Sequence, residues 1–300
     1  MEKILLDSYP IITSLGLVGN ILTIFLLSSK KFDKTIFDIY FRAMCLFDSL
    51  VAILPIHYYL KFKLNIDIAN FSQFTCYSVD YLIYVLSPCS TYILIFISFD
   101  RMLFVSNSNI FSFRLNKKFQ IGYCLAVFIM NLIYYMPMIV FFKQYSTQLI
   151  FNNSTNKTEI QISCLIVDNG VLYWMDLFFS TIIPFMAMFI FTCITIVKLF
   201  KSKTKTNGIK YRDLRFAFIS IALNICFFLM VFPITAFILI ASYLNLNEET
   251  YNFYFIIFLV FYILNYADKF YISLATNSLF RNEFTKKINH VLGKFLINFK

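Results

Sequence analysis

Charged residues, glycine and proline are all scarce in this sequence. Asp, Glu, Lys and Arg together make up 14% of its 300 residues, whereas a typical soluble domain carries about 25%. There are only 6 Gly and 6 Pro, so few segments have the composition of flexible linkers. We find no soluble domain, no internal repeat and no low-complexity segment, and residues 1–300 are predicted to form one domain.

Histidine is nearly absent as well. The sequence contains only His57 and His290, which lie far apart, whereas a membrane enzyme with a metal needs several His, Asp or Glu side chains together. The composition therefore predicts no metal site, no cofactor and no enzymatic activity. A transporter or channel stays open as an alternative, although that class favours repeats and spans interrupted by Gly or Pro near the membrane midplane.

Long apolar blocks are what the sequence has in abundance, since 60% of it is hydrophobic and 20% is aromatic. A bilayer core is crossed by about 20 mostly apolar residues, and a backbone in lipid must satisfy its own hydrogen bonds, which favours helices. We therefore predict an all-α membrane protein with a seven-transmembrane helix bundle. The predicted spans are approximately 8–29, 37–60, 76–105, 119–142, 171–200, 214–243 and 251–275.

Basic residues are distributed unevenly over the predicted loops. With the N-terminus outside, twenty Lys and Arg residues fall on inner segments and five on outer segments, as the positive-inside rule requires. The first block has the length of a span and lacks a small-residue cleavage site, so we interpret it as an uncleaved anchor. We expect a multi-pass plasma-membrane protein with its basic tail, residues 281–300, in the cytoplasm.

The net charge of +10 would favour nucleic acid as a partner of a soluble protein, but here the charge lies on one membrane face. The basic inner segments suit topology and anionic lipid, or a docking surface for an acidic protein partner. No nucleic-acid partner is expected. From Arg281 onward, apolar residues recur at helical spacing among lysines, which predicts an amphipathic helix at the membrane interface.

The predicted loop after the fourth span carries three overlapping glycosylation acceptors. Asn152, Asn153 and Asn156 each begin an Asn-x-Ser/Thr triplet, which is modified only on the lumenal side of a membrane. The alternative is chance occurrence in an Asn-rich chain. An outer position of this loop agrees with the orientation that the basic residues favour.

The 7 cysteines are an odd number, so they cannot form a fully paired disulfide framework. Five of them lie within predicted spans, where buried packing is the simplest interpretation. Cys76 opens the third span on the outer side, and Cys164 lies in the loop with the acceptor asparagines. Both face an oxidising compartment, so a bond between them is predicted to hold this loop over the bundle.

Several motifs occur in order on the seven spans. Asp48 follows Asn20 by 28 residues, and Arg101 follows Cys76 by 25 residues. Further matching positions are Gly19, Leu46, Phe47, Asp100, Met102, Pro184, Phe227, Pro233, Asn265, Phe280 and Arg281. With these motifs the chain resembles rhodopsin-like (class A) G-protein-coupled receptors over nearly its whole length, and it looks most similar to invertebrate neuropeptide receptors of the FMRFamide type.

The resemblance implies a function and a set of site residues. It implies a short eighth helix after the seventh span, an extracellular ligand, in this subgroup a neuropeptide, and coupling to heterotrimeric G proteins. Asp100 and Arg101 are implied to form a switch in which the carboxylate neutralises the arginine in the resting state. Interfacial anchoring of the same two residues is the structural alternative, and a diverged chemosensory receptor is the functional one.

The sequence departs from the family pattern at internal positions. Met102 stands in place of the Tyr of the Asp-Arg-Tyr motif, and Val231 in place of the span-six Trp. Thr192 replaces the span-five Tyr, and Ser273 the Tyr of Asn-Pro-x-x-Tyr. The fourth span lacks the family's Trp. Lys269 falls at the Asn of Asn-Pro-x-x-Tyr.

Charges within a span cost about 2.5–3.5 kcal/mol each on lenient scales, which draws attention to Asp48 and Lys269. In the resembled family the span-two Asp and the span-seven Asn line a polar cavity that holds a sodium ion. Asn20 and Asn265 belong to the same polar set. We predict that the Lys269 ammonium reaches Asp48 and takes the ion's place, with a purely structural ion pair as the alternative.

Acidic residues near the outer ends of the spans are candidates for ligand contact. Asp80 lies one turn after Cys76, and Asp176 follows Trp174 at the top of the fifth span. These residues could meet a cationic ligand such as an Arg-containing peptide, or they could be solvated helix ends. Ile83 stands where amine receptors of the family carry Asp, which argues against a simple monoamine, and Ile263 stands where opsins carry the retinal lysine.

Overall fold

The computed structural model describes residues 2–28, 37–105, 116–152, 157–166, 170–201, 209–244, 246–276 and 278–298. Within these residues, seven helical segments are long and apolar enough to cross a membrane, so the predicted all-α bundle with a further C-terminal helix is confirmed. The seven segments are Leu5–Leu27, Ile39–Leu64, Gln73–Leu103, Lys117–Phe141, Val171–Lys198, Ile221–Tyr243 and Glu248–Ala267.

Spans one, three, four and six are each built around a single long α-helix, and the others combine shorter helices. Span one is α1 (Glu2–Leu27), span two is α2 (Phe37–Ile53) with α3 (Ile56–Leu64), and span three is α4 (Gln73–Val105). Span four is α5 (Lys117–Pro137) followed by the π-turn Met138–Phe142, and span five is α6 (Val171–Asp176), the π-turn Leu177–Ile182 and α7 (Ile183–Lys201). Span six is α8 (Ile209–Tyr243), span seven is α9 (Glu248–Ala267) with α10 (Lys269–Thr276), and α11 (Ser278–Asn298) follows.

Two spans that the sequence predicts as continuous are interrupted. In span two the helix stops before Pro55, which has no N–H to donate and starts the next helix with φ −65°. In span seven the interruption is the single residue Asp268, whose N–H still donates to the Leu264 carbonyl at 3.0 Å. The Asp268 carbonyl in turn accepts from the N–H of Ile272 at 2.9 Å, so the helix axis carries on beyond the break.

Span three is the central helix of the bundle. In its most apolar window 61% of the residues are buried, against 28% for span four. It packs against α2, α5 and α7, while α1 packs against α2 and α9, and α8 lies between α7 and α9. Span three therefore touches most of the elements that could form a site.

The outward faces of the spans are apolar. On α5, Leu125, Ile129, Ile133 and Met136 follow one another at helical spacing and are between 52% and 66% exposed. In water such a stripe would be an aggregation surface, but in lipid it is the expected boundary of a spanning helix. The stripe supports a multi-pass membrane protein.

The predicted loop after span four contains a β-hairpin. Strand β1 (Lys143–Asn152) pairs with β2 (Lys157–Ile166) in antiparallel register, with Tyr145 opposite Cys164. Cys164 is bonded to Cys76, which confirms the predicted disulfide, and its N–H donates to Asn70 Oδ1 at 2.9 Å. We call this end of the bundle the disulfide end. Asn152 is the last residue of β1, while Asn153 and Asn156 lie outside the described residues.

The helix α11 begins at Ser278, three residues before Arg281, where the predicted amphipathic helix begins, and it packs against the first span. Lys287 Nζ donates to the Phe25 carbonyl at 2.5 Å and lies 3.9 Å from the centroid of the Phe25 ring. Loss of hydration at this contact lowers the pKa of Lys287 from its ordinary value. The contact fixes the start of the C-terminal segment against the bundle.

Spans one and seven approach each other closely at Gly16. A Cβ built on Gly16 would lie 2.8 Å from Ala267 Cβ and 3.1 Å from Ala267 Cα, so a side chain there would displace backbone. A Cβ on Gly122, on the outward face of α5, would meet nothing within 4 Å. The two glycines are therefore a matched pair, one required by packing and one not.

We predict that Gly16→Ala destabilises the protein and Gly122→Ala does not. Overpacking typically costs about 1–3 kcal/mol, whereas Gly to Ala in an open helical position gains up to about 1 kcal/mol. The measurement is the thermal unfolding midpoint of the purified protein in detergent. Equal midpoints for the two variants would show that spans one and seven do not meet at Gly16.

Candidate functional site

A cavity of about 60 Å³ lies within the disulfide end of the bundle. Spans two, three, five, six and seven all contribute to its walls. Its polar and aromatic lining comprises Tyr58, Asp80, Tyr84, Ser87, Asp176, Ser180, Thr235, Phe255 and Tyr262, and its apolar lining comprises Pro55, Ile83, Val231, Ile234, Ile238 and Leu259. We call it the disulfide-end cavity.

Asp80 reaches this cavity with its charge already compensated. Lys143, the first residue of β1, has a buried side chain whose Nζ lies 2.6 Å from Asp80 Oδ2 and also donates to the Cys76 carbonyl. The Tyr58 hydroxyl donates to Asp80 Oδ1 at 3.2 Å, and His57 Nε2 lies 3.3 Å from the same oxygen. Asp80 is therefore neither a solvated helix end nor an unpaired anchor for a ligand.

Asp176 differs from Asp80 in having no cation beside it. Its Oδ1 accepts a hydrogen bond from the Tyr135 hydroxyl at 2.9 Å, and the part of the chain that the structure describes places no lysine, arginine or histidine in an ion pair with it. Trp174, which the sequence groups with it, does not line the cavity. Its indole N–H donates to the Tyr243 hydroxyl at 3.0 Å, and the residue is 43% exposed on the outside of the bundle.

A second, smaller polar cavity lies deeper in the bundle around Lys269. Lys269 Nζ is 2.6 Å from Asp48 Oδ2 and donates to Ser90 Oγ at 3.0 Å. Asp48 is 0% exposed and Lys269 is 4% exposed. Removing an ion from water costs several kcal/mol, and a close, hydrogen-bonded partner offsets much of that cost.

The residues around this ion pair leave space for about one water molecule, since the cavity measures about 10 Å³. Asn265 and Asp268 line it together with Ser90 and Lys269, and no described residue forms a hydrogen bond with Asp268 Oδ2. Of the neighbouring residues Asp268 and Lys269, Lys269 is the one whose side chain forms the ion pair with Asp48. The remaining predicted member, Asn20, donates to the Tyr266 carbonyl at 3.1 Å and so ties span one to span seven.

A tyrosine that the sequence analysis did not single out lies between the two cavities. The Tyr266 hydroxyl shares a hydrogen bond of 2.5 Å with Ser87 Oγ, and Ser87 lines the disulfide-end cavity. The Tyr266 ring lies 5.3 Å from Lys269 Nζ. Its only sequence signal is position, one helical turn before Phe270 and three residues before Lys269, which does not distinguish it from a packing aromatic.

Span three carries Asp100 and Arg101 at the end opposite the disulfide. A helix rises 1.5 Å per residue, so the 25 residues from Cys76 to Arg101 span about 37 Å, more than the bilayer core. Asp100 is 3% exposed, and Arg101 is half-buried. The same helix thus joins the wall of the disulfide-end cavity to a charged pair near the other membrane face.

Two residues at which the sequence departs from the family pattern, Thr192 and Val231, take part in packing inside the bundle. Asn224 Nδ2 donates to Thr192 Oγ1 at 2.9 Å and so joins α8 to α7 within the membrane. Val231, 2% exposed, lies on the wall of the disulfide-end cavity. Asn224 has no motif signal, because a single Asn in a long apolar span can face either a neighbouring helix or lipid.

The chain matches the model of a known protein family. The model of the 7 transmembrane receptor (rhodopsin family) matches residues 19–270. No curated protein matches the chain. The matched residues contain Asn20, Asp48, both disulfide cysteines, Asp100, Arg101 and the wall of the disulfide-end cavity.

We predict that the Asp48–Lys269 pair contributes to stability as a unit. Asp48→Asn or Lys269→Met leaves one buried charge unpaired, so each single change is expected to cost about 3–5 kcal/mol, while the double change costs less than their sum. The measurement is a double-mutant cycle of thermal unfolding midpoints, with surface expression as a second readout. Replacing NaCl by KCl is expected to leave the midpoint unchanged, because the ammonium already holds the cation position.

The exposed pair Lys63–Asp7, at 2.7 Å, is the control for this cycle. Lys63→Met and Asp7→Asn are expected to change stability by less than about 1 kcal/mol. Additive losses at Asp48 and Lys269, or a sodium-dependent midpoint, would contradict the assignment.

Proposed function

Because the chain belongs to the rhodopsin family of seven-transmembrane receptors, we propose that it carries the signal of an extracellular ligand across the plasma membrane to a heterotrimeric G protein. The observation that carries the proposal is the arrangement along span three. Its first turns hold Cys76 and contribute Asp80 to the disulfide-end cavity, and Asp100 and Arg101 lie close to its other end, Val105.

The proposed signal is a shift between two arrangements of the spans. A ligand shifts this equilibrium only by binding one state better than the other. Span six contributes Val231, Ile234 and Ile238 to the cavity wall, so a ligand can contact it directly. In our proposal the opposite part of span six then moves outward, and Arg101 leaves Asp100 for the G protein.

The small volume of the disulfide-end cavity and the resemblance to FMRFamide-type neuropeptide receptors both support a peptide as the ligand. A cavity of about 60 Å³ has room for one small group, so most of a ligand must lie outside it, near the hairpin of β1 and β2. Ile83 on the wall leaves no acid at the position where amine receptors of the family carry one. We therefore propose a neuropeptide as the ligand.

A transporter is the competing class, and the break of span seven at Asp268 beside a buried ion pair is a feature that suits it. The break is a single residue, and helical hydrogen bonds continue on both sides of it. Transporters of that kind also carry internal repeats, which this sequence lacks. The receptor function is the better explanation.

The proposed orientation places the disulfide end and the N-terminus outside the cell and α11 inside. We predict that an antibody against an N-terminal epitope tag labels intact cells, while one against a C-terminal tag labels only permeabilised cells. Labelling of the C-terminal tag on intact cells would reverse the orientation.

Glycosylation at Asn152, Asn153 or Asn156 is expected for the same reason, and replacing all three by Gln should abolish any glycosidase-sensitive shift in gel mobility.

We predict that Arg101→Ala abolishes G-protein activation while the protein still reaches the cell surface. The arginine is the group assigned to the G protein, and its removal leaves the disulfide-end cavity untouched. The measurement is G-protein dissociation in cells, screened with an amidated peptide library on the unmutated protein and then with any active peptide on the variant.

Lys118→Ala is the control, since Lys118 is an exposed cation in the first turn of α5 outside the Asp-Arg motif. It is expected to keep at least half of the response. Full activation by the Arg101→Ala variant would remove the switch from the proposed mechanism.

A further inference from the structure

We propose that the disulfide-end cavity binds a cationic group of the ligand, a guanidinium or an alkylammonium, on the carboxylate of Asp176. This rests on the proposed function, because it assigns the ligand to that cavity. The sequence offers Asp80 and Asp176 as equivalent candidates. The structure separates them by what each carboxylate already contacts.

Asp80 is unsuited to the role because its charge is used within the protein. Both of its oxygens are engaged, Oδ2 by Lys143 at 2.6 Å and Oδ1 by the Tyr58 hydroxyl at 3.2 Å. A ligand cation at Asp80 would have to displace Lys143 and leave that ammonium buried without a counter-charge, although it would still donate to the Cys76 carbonyl. A cationic ligand therefore gains little binding free energy from Asp80, because this carboxylate is already paired with Lys143.

Asp176 carries the charge that the cavity leaves uncompensated. Among the residues that line the cavity, it and Asp80 are the two carboxylates, and the described part of the chain gives Asp176 a hydroxyl donor, Tyr135, in place of a cation. A hydroxyl satisfies one acceptor position but does not neutralise the group. An incoming cation would supply the missing opposite charge.

The rest of the wall suits a compact cation with a short apolar stem. The rings of Tyr84, Phe255 and Tyr262 line the cavity, and aromatic faces attract a cation within about 6 Å of the ring centroid. Ile83 and Leu259 offer apolar surface for the stem. A volume of about 60 Å³ holds on the order of four to six waters, which matches one head group and excludes a bulky ligand.

The test uses the purified full-length protein in detergent and two pairs of probes that differ in charge. N-acetyl-arginine amide is compared with N-acetyl-citrulline amide, its neutral isostere, and tyramine is compared with 4-propylphenol, in which a methyl group replaces the ammonium. The readout is the rise of the thermal unfolding midpoint as a function of probe concentration. In the unmutated protein at least one cationic probe is expected to act at a tenfold or lower concentration than its neutral isostere.

Three variants connect this charge preference to one carboxylate. Asp176→Asn keeps an acceptor for Tyr135 but removes the charge, and it is expected to lose the tenfold preference. Asp176→Glu keeps the charge and is expected to retain a preference. Asp67→Asn is the control, because Asp67 lies at the same end, pairs with Lys61 at 3.0 Å and does not line the cavity, so the preference should be unchanged.

The outcomes separate this proposal from the proposed function. Any of three results would overturn the cation site. The charged and neutral probes could raise the midpoint of the unmutated protein equally, or neither charged probe could raise it. The third such result is a tenfold preference that survives Asp176→Asn. The assay contains no G protein, so a charge preference that depends on Asp176 supports the site even if cells show no G-protein activation. A stronger effect of N-acetyl-arginine amide than of tyramine assigns the head group to a peptide arginine, and the reverse assigns it to a free amine.

Discussion

The cost of an unpaired charge in a medium without water shapes the interior of this protein. Lipid offers no hydrogen-bond partner, so each charge within a span must be neutralised by another part of the chain or by a ligand. Lys269 meets Asp48 at 2.6 Å, and Lys143 meets Asp80 at the same distance. Each pair joins two elements that lie far apart in sequence, so each also fixes the relative position of those elements.

The two pairs occupy different levels of one bundle and are connected by polar contacts. Below the disulfide-end cavity, Ser87 and Tyr266 share a hydrogen bond, and the Tyr266 ring faces Lys269. A ligand that displaces the wall at Ser87 would therefore act on residues one contact away from the inner ion pair. This is a spatial connection, and energetic coupling along it would have to be measured by mutant cycles.

The disulfide does more than close a loop. It holds the β-hairpin against span three, and the first residue of that hairpin is Lys143, whose ammonium reaches Asp80 and the Cys76 carbonyl. One covalent bond from β2 and one ion pair from β1 therefore anchor the same hairpin to the same helix. Because Asp80 is neutralised in this way, Asp176 becomes the distinctive charge of the cavity.

The sequence by itself determined the class, the number of spans, the disulfide partners and the family. These depend on composition, on apolar block length and on motif spacing, which are properties of the linear chain. The Asp48–Lys269 contact could also be predicted from the sequence, because two opposite charges on apolar spans have few other partners available. The hairpin of β1 and β2 was not predicted, although Ile160, Ile162 and Cys164 alternate with Glu159, Gln161 and Ser163 in β2, which is the period-2 pattern of a strand.

Only the tertiary structure decided which acid faces the cavity unpaired. Asp80 and Asp176 have the same side chain at similar depth, and the sequence gives no reason to prefer one. The difference arises from Lys143, which is 63 residues from Asp80 in the chain and is brought to it by the hairpin. The same holds for Asn224 and Thr192, and for Tyr266 and Ser87. Contacts of this kind depend on the rotation of each helix about its axis and on its neighbours, and packing between helices sets both.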